Sequence, residues 1–144
     1  MVDDTGDVVR PNLPNGWRLR LQQPVTLSAS EPQPDLAVVR GKRGDYRKRH
    51  PGPEEIGLLI EVSDATLAFD RAFRAVLYAA ANVPYYWIIN LIDRQLEVHR
   101  DPRPAANGQA AYYAVREVLR AGDTVPLILD GLTIASIAVA DLLP

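Results

Sequence analysis

The chain has 144 residues, 47% of them hydrophobic and 24% charged, which suits one domain with a real core. Its formal net charge of -2 argues against a generally basic nucleic-acid coat, although it leaves room for a local basic patch. There is no cysteine, so disulfides and thiolate zinc sites are excluded; two histidines are too few for a His-rich site, and any metal would be held by oxygen.

Residues 1–15 are polar and punctuated by Pro11 and Pro14, which predicts a loose arm ahead of a single domain over 16–144. The N-terminus lacks the cationic and apolar regions of a signal peptide, and no run of about 18 apolar residues offers a membrane span, so a cytoplasmic protein without a membrane partner is expected. Trp17, Leu19 and Leu21 alternate with Arg18, Arg20 and Gln22 at the period of a half-buried strand, and a second short strand is expected at Val25 to Leu27. Glu31-Pro32-Gln33-Pro34 breaks the backbone, after which Leu36 to Val39 read as an apolar strand with Asp35 at its start. A polar loop follows from Arg40 to Pro53, then a buried strand from Gly57 to Val62. Ser63 and Thr66 are N-cap candidates for a helix in which Phe69, Phe73, Val76, Leu77 and Ala80 recur at helical spacing until Asn82 and Pro84 end it. Tyr85 to Leu91 and Leu96 to Arg100 predict a hairpin turning near Asp93-Arg94, and Ala111 to Leu119 a further strand. The tail from Val125 to Leu143 predicts one short strand and a terminal helix. This order implies an α/β or α+β fold, a central mixed sheet with one crossover helix.

Two acids stand out, Asp35 at the start of one apolar strand and Glu61 inside another. An ionised carboxylate in an apolar run is costly to desolvate and is normally kept only where a cation, a metal or a donor network compensates it. The pair therefore points to a metal site; the plainer alternative is a turn cap at Asp35 and an arginine partner for Glu61. Ser63 and Thr66 have no histidine nearby in sequence and sit in no nucleophile-elbow motif, which leaves capping as their role.

An acid at a strand start, then 61 − 35 = 26 residues, then an acid within a strand followed by a helix resembles the PD-(D/E)XK nuclease superfamily. More closely, Glu31-Pro32-Gln33-Pro34-Asp35-Leu36-Ala37-Val38-Val39, Ile60-Glu61-Val62-Ser63-Asp64-Ala65-Thr66, Asp70-Arg71 and the stretch from Tyr78 to Asn90 resemble the Uma-type restriction endonuclease family. The resemblance implies a restriction-endonuclease-like core in which Asp35 and Glu61 hold Mg2+ or Mn2+ for phosphodiester hydrolysis, a cation class that favours such oxygen ligands. Where the family carries a lysine one turn before the tyrosine of the helix, this chain has Arg74, and both its lysines, Lys42 and Lys48, lie upstream of Glu61. Arg74 is thus the candidate electrostatic partner of the scissile phosphate, or simply an exposed i, i+4 partner of Asp70. The resemblance also implies that N-terminal family elements are missing here, which leaves an uncovered surface suited to a homodimer.

Six of the sixteen basic residues, Arg40, Lys42, Arg43, Arg47, Lys48 and Arg49, fall within ten positions and form a candidate DNA-backbone contact, with Tyr46 among them as a candidate for base stacking. Two function classes stay open: a metal-dependent nuclease, and a catalytically inactive DNA-binding or assembly module that keeps the nuclease fold.

Overall fold

The computed structural model describes residues 1–28 and 30–144. Six strands form one mixed sheet in sequence order: β1 (Trp17–Leu21), β2 (Leu36–Arg40), β3 (Ile56–Ser63), β4 (Tyr85–Asn90), β5 (Gln95–Arg103) and β6 (Tyr112–Leu119). All neighbours are antiparallel except β3 and β4. A parallel neighbour cannot be reached by a tight turn, so the chain crosses one sheet face in a helical segment, α2, spanning residues 67–80. It consists of Leu67–Phe69, a π-turn over Asp70–Arg74, and Ala75–Ala80.

The opposite face carries the larger apolar cluster, including Leu36, Val38, Leu58, Ile60, Trp87 and Ile89. It is covered by a hairpin, β7 (Thr124–Leu129) and β8 (Leu132–Ala138), where a single strand and a terminal helix are expected from sequence. Asp130 and Gly131 both take positive φ between the paired Leu129 and Leu132, the geometry of a two-residue hairpin turn for which Asp-Gly is a strong signal. The chain then ends on a short 3-10 turn, Val139–Asp141.

The same face receives the N-terminus. Residues expected as a loose arm form α1 (Val2–Val9), with Val9 fully buried and Val2 and Val8 packed on the core. Gly6 lets this helix approach β1 closely: a Cβ there would already be in contact with Leu19 and Leu21 at 3.4 Å. Val25 and Leu27 are buried as their apolar character suggests, but they form no strand, because the amides of Val25, Thr26 and Leu27 bond to the carbonyls of Pro32, Pro51 and Ser30.

Gly57 is where β3, β1 and the covering hairpin meet. An added Cβ would lie 2.8 Å from Leu129 and 2.9 Å from Trp17. Gly57→Ala should therefore destabilise the protein by on the order of 1–3 kcal/mol through overpacking. Urea unfolding checks this, and an unchanged midpoint would show that the hairpin is not tightly seated on β3.

Candidate functional site

The register of the sheet builds the site. Leu36 pairs with Ile60 and Ala37 with Leu59, and continuing that antiparallel register by one step sets Asp35 opposite Glu61. Residues opposed in this way share a face, so both acids project to the side covered by α2. The strands are clasped by these side chains as well as by their ladder: the Asp35 amide donates to Glu61 Oε1 at 3.0 Å, and the Val62 amide donates to Asp35 Oδ2 at 2.8 Å.

Glu61 is buried, and α2 closes over it. Arg74 Nη1 donates to Glu61 Oε2 at 2.9 Å, the Tyr78 hydroxyl donates to the same oxygen at 2.8 Å, and Arg74 Nη1 lies 2.8 Å from the Tyr78 oxygen. Arg74 also reaches Asp70 at 3.7 Å, so the i, i+4 pair expected as an alternative exists, but both partners are largely withdrawn from solvent. Asp70 is fixed by the hydroxyls of Ser63 and Thr66. Neither hydroxyl caps the helix as expected; the buried carboxylate one turn into α2 attracts both, and Thr66 makes no cap bond.

Burial pushes the Glu61 carboxyl up to about 7, although Arg74, the Asp35 amide and Tyr78 all act to hold it down. Burial works against the charge of Arg74 too, but Glu61, Tyr78 and Asp70 outweigh it and keep the guanidinium protonated.

A second buried carboxylate lies in the same row. Glu61 pairs with Ile88, and Ile88 pairs with Glu97, which is fully buried. Arg71 of α2 grips Glu97 with both arms at 2.9 and 2.5 Å, while Asn90 and Gln95 donate at 2.8 and 3.0 Å and Arg116 lies at 3.1 Å. Burial alone would raise Glu97, but this richer donor set holds it down at about 2. Leu96-Glu97-Val98 carries the same signal that singles out Glu61, an acid inside an apolar strand, and sequence reasoning passed over it. His99 is buried beside Tyr86 and Tyr113, and burial lowers it to about 4.

The basic loop divides. Arg40 is committed to Asp130 at 2.9 and 2.5 Å and stacks 4.5 Å from the Trp17 ring, while Arg49 is committed to Glu55 at 2.6 and 2.7 Å. Lys42, Arg43, Arg47 and Lys48 form no ion pair among the described residues. Tyr46 is less open to a base than expected: its hydroxyl donates to the Arg40 carbonyl and to Glu55, and its ring lies under Arg20 at 5.4 Å and Arg49 at 5.2 Å.

Because the folded-state value of Glu61 lies above the ordinary 4.5, the folded protein keeps a proton between about pH 4.5 and 7 that the unfolded chain has released. The stability this contributes is complete below pH 4.5 and is lost as pH rises through 7. Glu61→Gln removes the titration, while Glu97 and His99 titrate alike in both proteins and cancel in the difference. The variant should therefore gain on the wild type by on the order of 3 kcal/mol between pH 4.5 and 8. Urea melts across this range measure it; a gap that does not change with pH would place Glu61 in a solvated, ordinary environment.

No curated protein matches the chain. Among solved structures it is similar to a crystal structure from Anabaena variabilis ATCC 29413, described as "a putative nuclease belonging to DUF820", with a TM-score of 0.55 and 17% identity over 98% of this chain and 74% of that one. At that identity the likeness speaks for the fold, a nuclease-like mixed sheet crossed by a helix. Among the described residues no helix is long and apolar enough to cross a membrane. A family model described as "Putative restriction endonuclease" matches residues 3–140, and with nearly its whole length covered the chain belongs to the Uma2 family.

Proposed function

We propose that this protein is a metal-dependent phosphodiester hydrolase acting on DNA, with Asp35 and Glu61 as ligands of Mg2+ or Mn2+ and Arg74 as the charge presented to the scissile phosphate. The observation that carries this reading is the placement of both carboxylates opposite one another on one sheet face, beside a guanidinium 2.9 Å from Glu61.

The donor set fits a hard cation. Asp35 is partly exposed, and its Oδ1 accepts no hydrogen bond among the described residues, while Oδ2 is steadied by the Val62 amide. No group of three or more Asp, Glu or His side chains gathers there among the described residues. Mg2+ commonly takes one or two carboxylates and keeps several waters. Such an ion would supply activation of a water and neutralisation of charge on the phosphate. The chain's own contribution is positional. The Asp35 amide orients Glu61, Tyr78 holds its second oxygen, and Arg74 places a permanent positive charge at the mouth of the pair. Arginine stays protonated, so its role is to stabilise charge rather than to accept a proton.

One observation favours the other reading, an inactive DNA-binding or assembly module: Arg74 already compensates Glu61 and so competes with a cation for it. A plasmid-nicking assay with Mg2+ or Mn2+ separates the two. Wild type should cleave, Asp35→Ala should lose roughly two orders of magnitude or more as charge stabilisation in the transition state is removed, and Arg74→Lys should cleave at least as well as wild type. Absence of cleavage in both wild type and Arg74→Lys would leave the inactive module.

A further inference from the structure

On the edge of the sheet away from α2's crossover, two adjoining clefts of about 380 and 420 Å³ share Arg10, Arg18, Leu19, Lys42 and Arg43 in their walls. Together they are lined by six cations, Arg10, Arg18, Arg20, Lys42, Arg43 and Arg47, and by no acidic side chain. None of the six forms an ion pair among the described residues, in contrast to Arg40 and Arg49 of the same loop. Like charges gathered without counter-charges repel one another, so such a concave cluster has a standing attraction for an anionic ligand. Arg20 is held in place by its own contacts: its terminal nitrogen bonds the Pro24 carbonyl at 3.2 Å and its guanidinium lies 5.4 Å from the centre of the Tyr46 ring.

The position of the groove is informative. In the β1–β2 ladder Arg18 is opposite Val39 and Arg20 is opposite Ala37, so both arginines share the face of Ala37 and Val39. Asp35 lies two residues before Ala37 on the same strand and therefore on that face too. Two of the six cations, Arg18 and Arg20, thus share the face of the carboxylate pair, while Arg10, Lys42, Arg43 and Arg47 line the clefts along the edge strand and its loop.

We propose that this groove is a phosphodiester-backbone track that leads a nucleic-acid strand to the Asp35–Glu61 pair, built by Arg18, Arg20 and Arg10 as much as by Lys42, Arg43 and Arg47, and not by Arg40 or Arg49. The inference rests on the nuclease reading for its choice of ligand. Nucleic acid is preferred to an acidic protein because Arg18 and Arg20 lie on the face that bears the two carboxylates, so a polyanion held by them is directed towards a site for its own phosphate. The contacts are to backbone charge, so they carry affinity and placement rather than sequence preference.

The test measures binding of a labelled DNA duplex to the full chain in EDTA by fluorescence anisotropy over a series of salt concentrations. Wild type should bind with a steep salt dependence. Arg18→Gln combined with Arg43→Gln should weaken binding roughly tenfold at low salt and reduce the slope of log K against log salt by about 2. Arg40→Gln and Arg49→Gln should leave the slope unchanged, since their charges are already engaged. The proposal is overturned if the Arg18/Arg43 double variant binds like wild type, if the Arg40 and Arg49 variants lose as much slope as the double variant, or if polyglutamate competes as well as unlabelled duplex, which would identify an acidic protein partner. Because binding is read without metal, a protein that never cleaves can still pass this test, and one that cleaves can still fail it.

Discussion

Two carboxylates are buried in one row of the sheet, Glu61 and Glu97, separated only by Ile88, and the rest of this face is arranged to compensate them. Charge withdrawn from water must be met by opposite charge or by donors, and removing one partner from such a pair typically costs about 3–5 kcal/mol. The single crossover helix meets both demands. Arg71 and Arg74, three residues apart on α2, point to Glu97 and Glu61 respectively, so the two ion pairs fix the rotation of the helix on the sheet. The π-turn that contains both arginines is the segment that brings them to bear, in keeping with the tendency of π-turns to occur at functional sites.

This arrangement inverts the usual amphipathic logic. The residues whose spacing announces the helix, Phe69, Phe73 and Val76, are largely exposed, and the two phenyl rings stack on each other at 5.0 Å on the outer surface. The inward face is instead Leu67, Asp70, Arg71, Arg74 and Tyr78. An apolar stripe normally marks the buried side of a helix. Here the sheet presents carboxylates, and matching them outweighs the burial of two phenylalanines. The two acids nevertheless end in different electrostatic states. Glu97, with two arginines and two amides, is held down at about 2, whereas burial raises Glu61, with one arginine, one phenol and one amide, to about 7. The more weakly compensated acid is the one beside Asp35, where an added cation would be accommodated best.

The sheet was legible because its strands are short apolar runs bounded by Pro, Gly and Asn, and Asp35 and Glu61 because acids in such runs are costly. The register that sets them opposite one another depends on pairing between β2 and β3, which no local pattern encodes. Arg74 was found by resemblance to the family motif. The part played by Arg71 could not be read, because its partner lies two strands beyond and 26 residues downstream. The basic loop showed the opposite limit: its charges were plain in sequence, but which of them were free depended on Asp130 and Glu55. Arg18 and Arg20 looked like the ordinary polar side of an edge strand until the fold set them beside the loop. Polar composition hid α1, whose helical spacing of Val2, Gly6 and Val9 carries few apolar residues.

The central claim is that Asp35 and Glu61 form a cation site whose affinity is limited by Arg74. Its most direct test is Mn2+ binding followed by electron paramagnetic resonance in wild type, Asp35→Ala and Arg74→Met. The account predicts one site in the wild type, its loss in Asp35→Ala, and tighter binding when the competing guanidinium is removed. Mn2+ binding that persists in Asp35→Ala, or that is not strengthened in Arg74→Met, would contradict it.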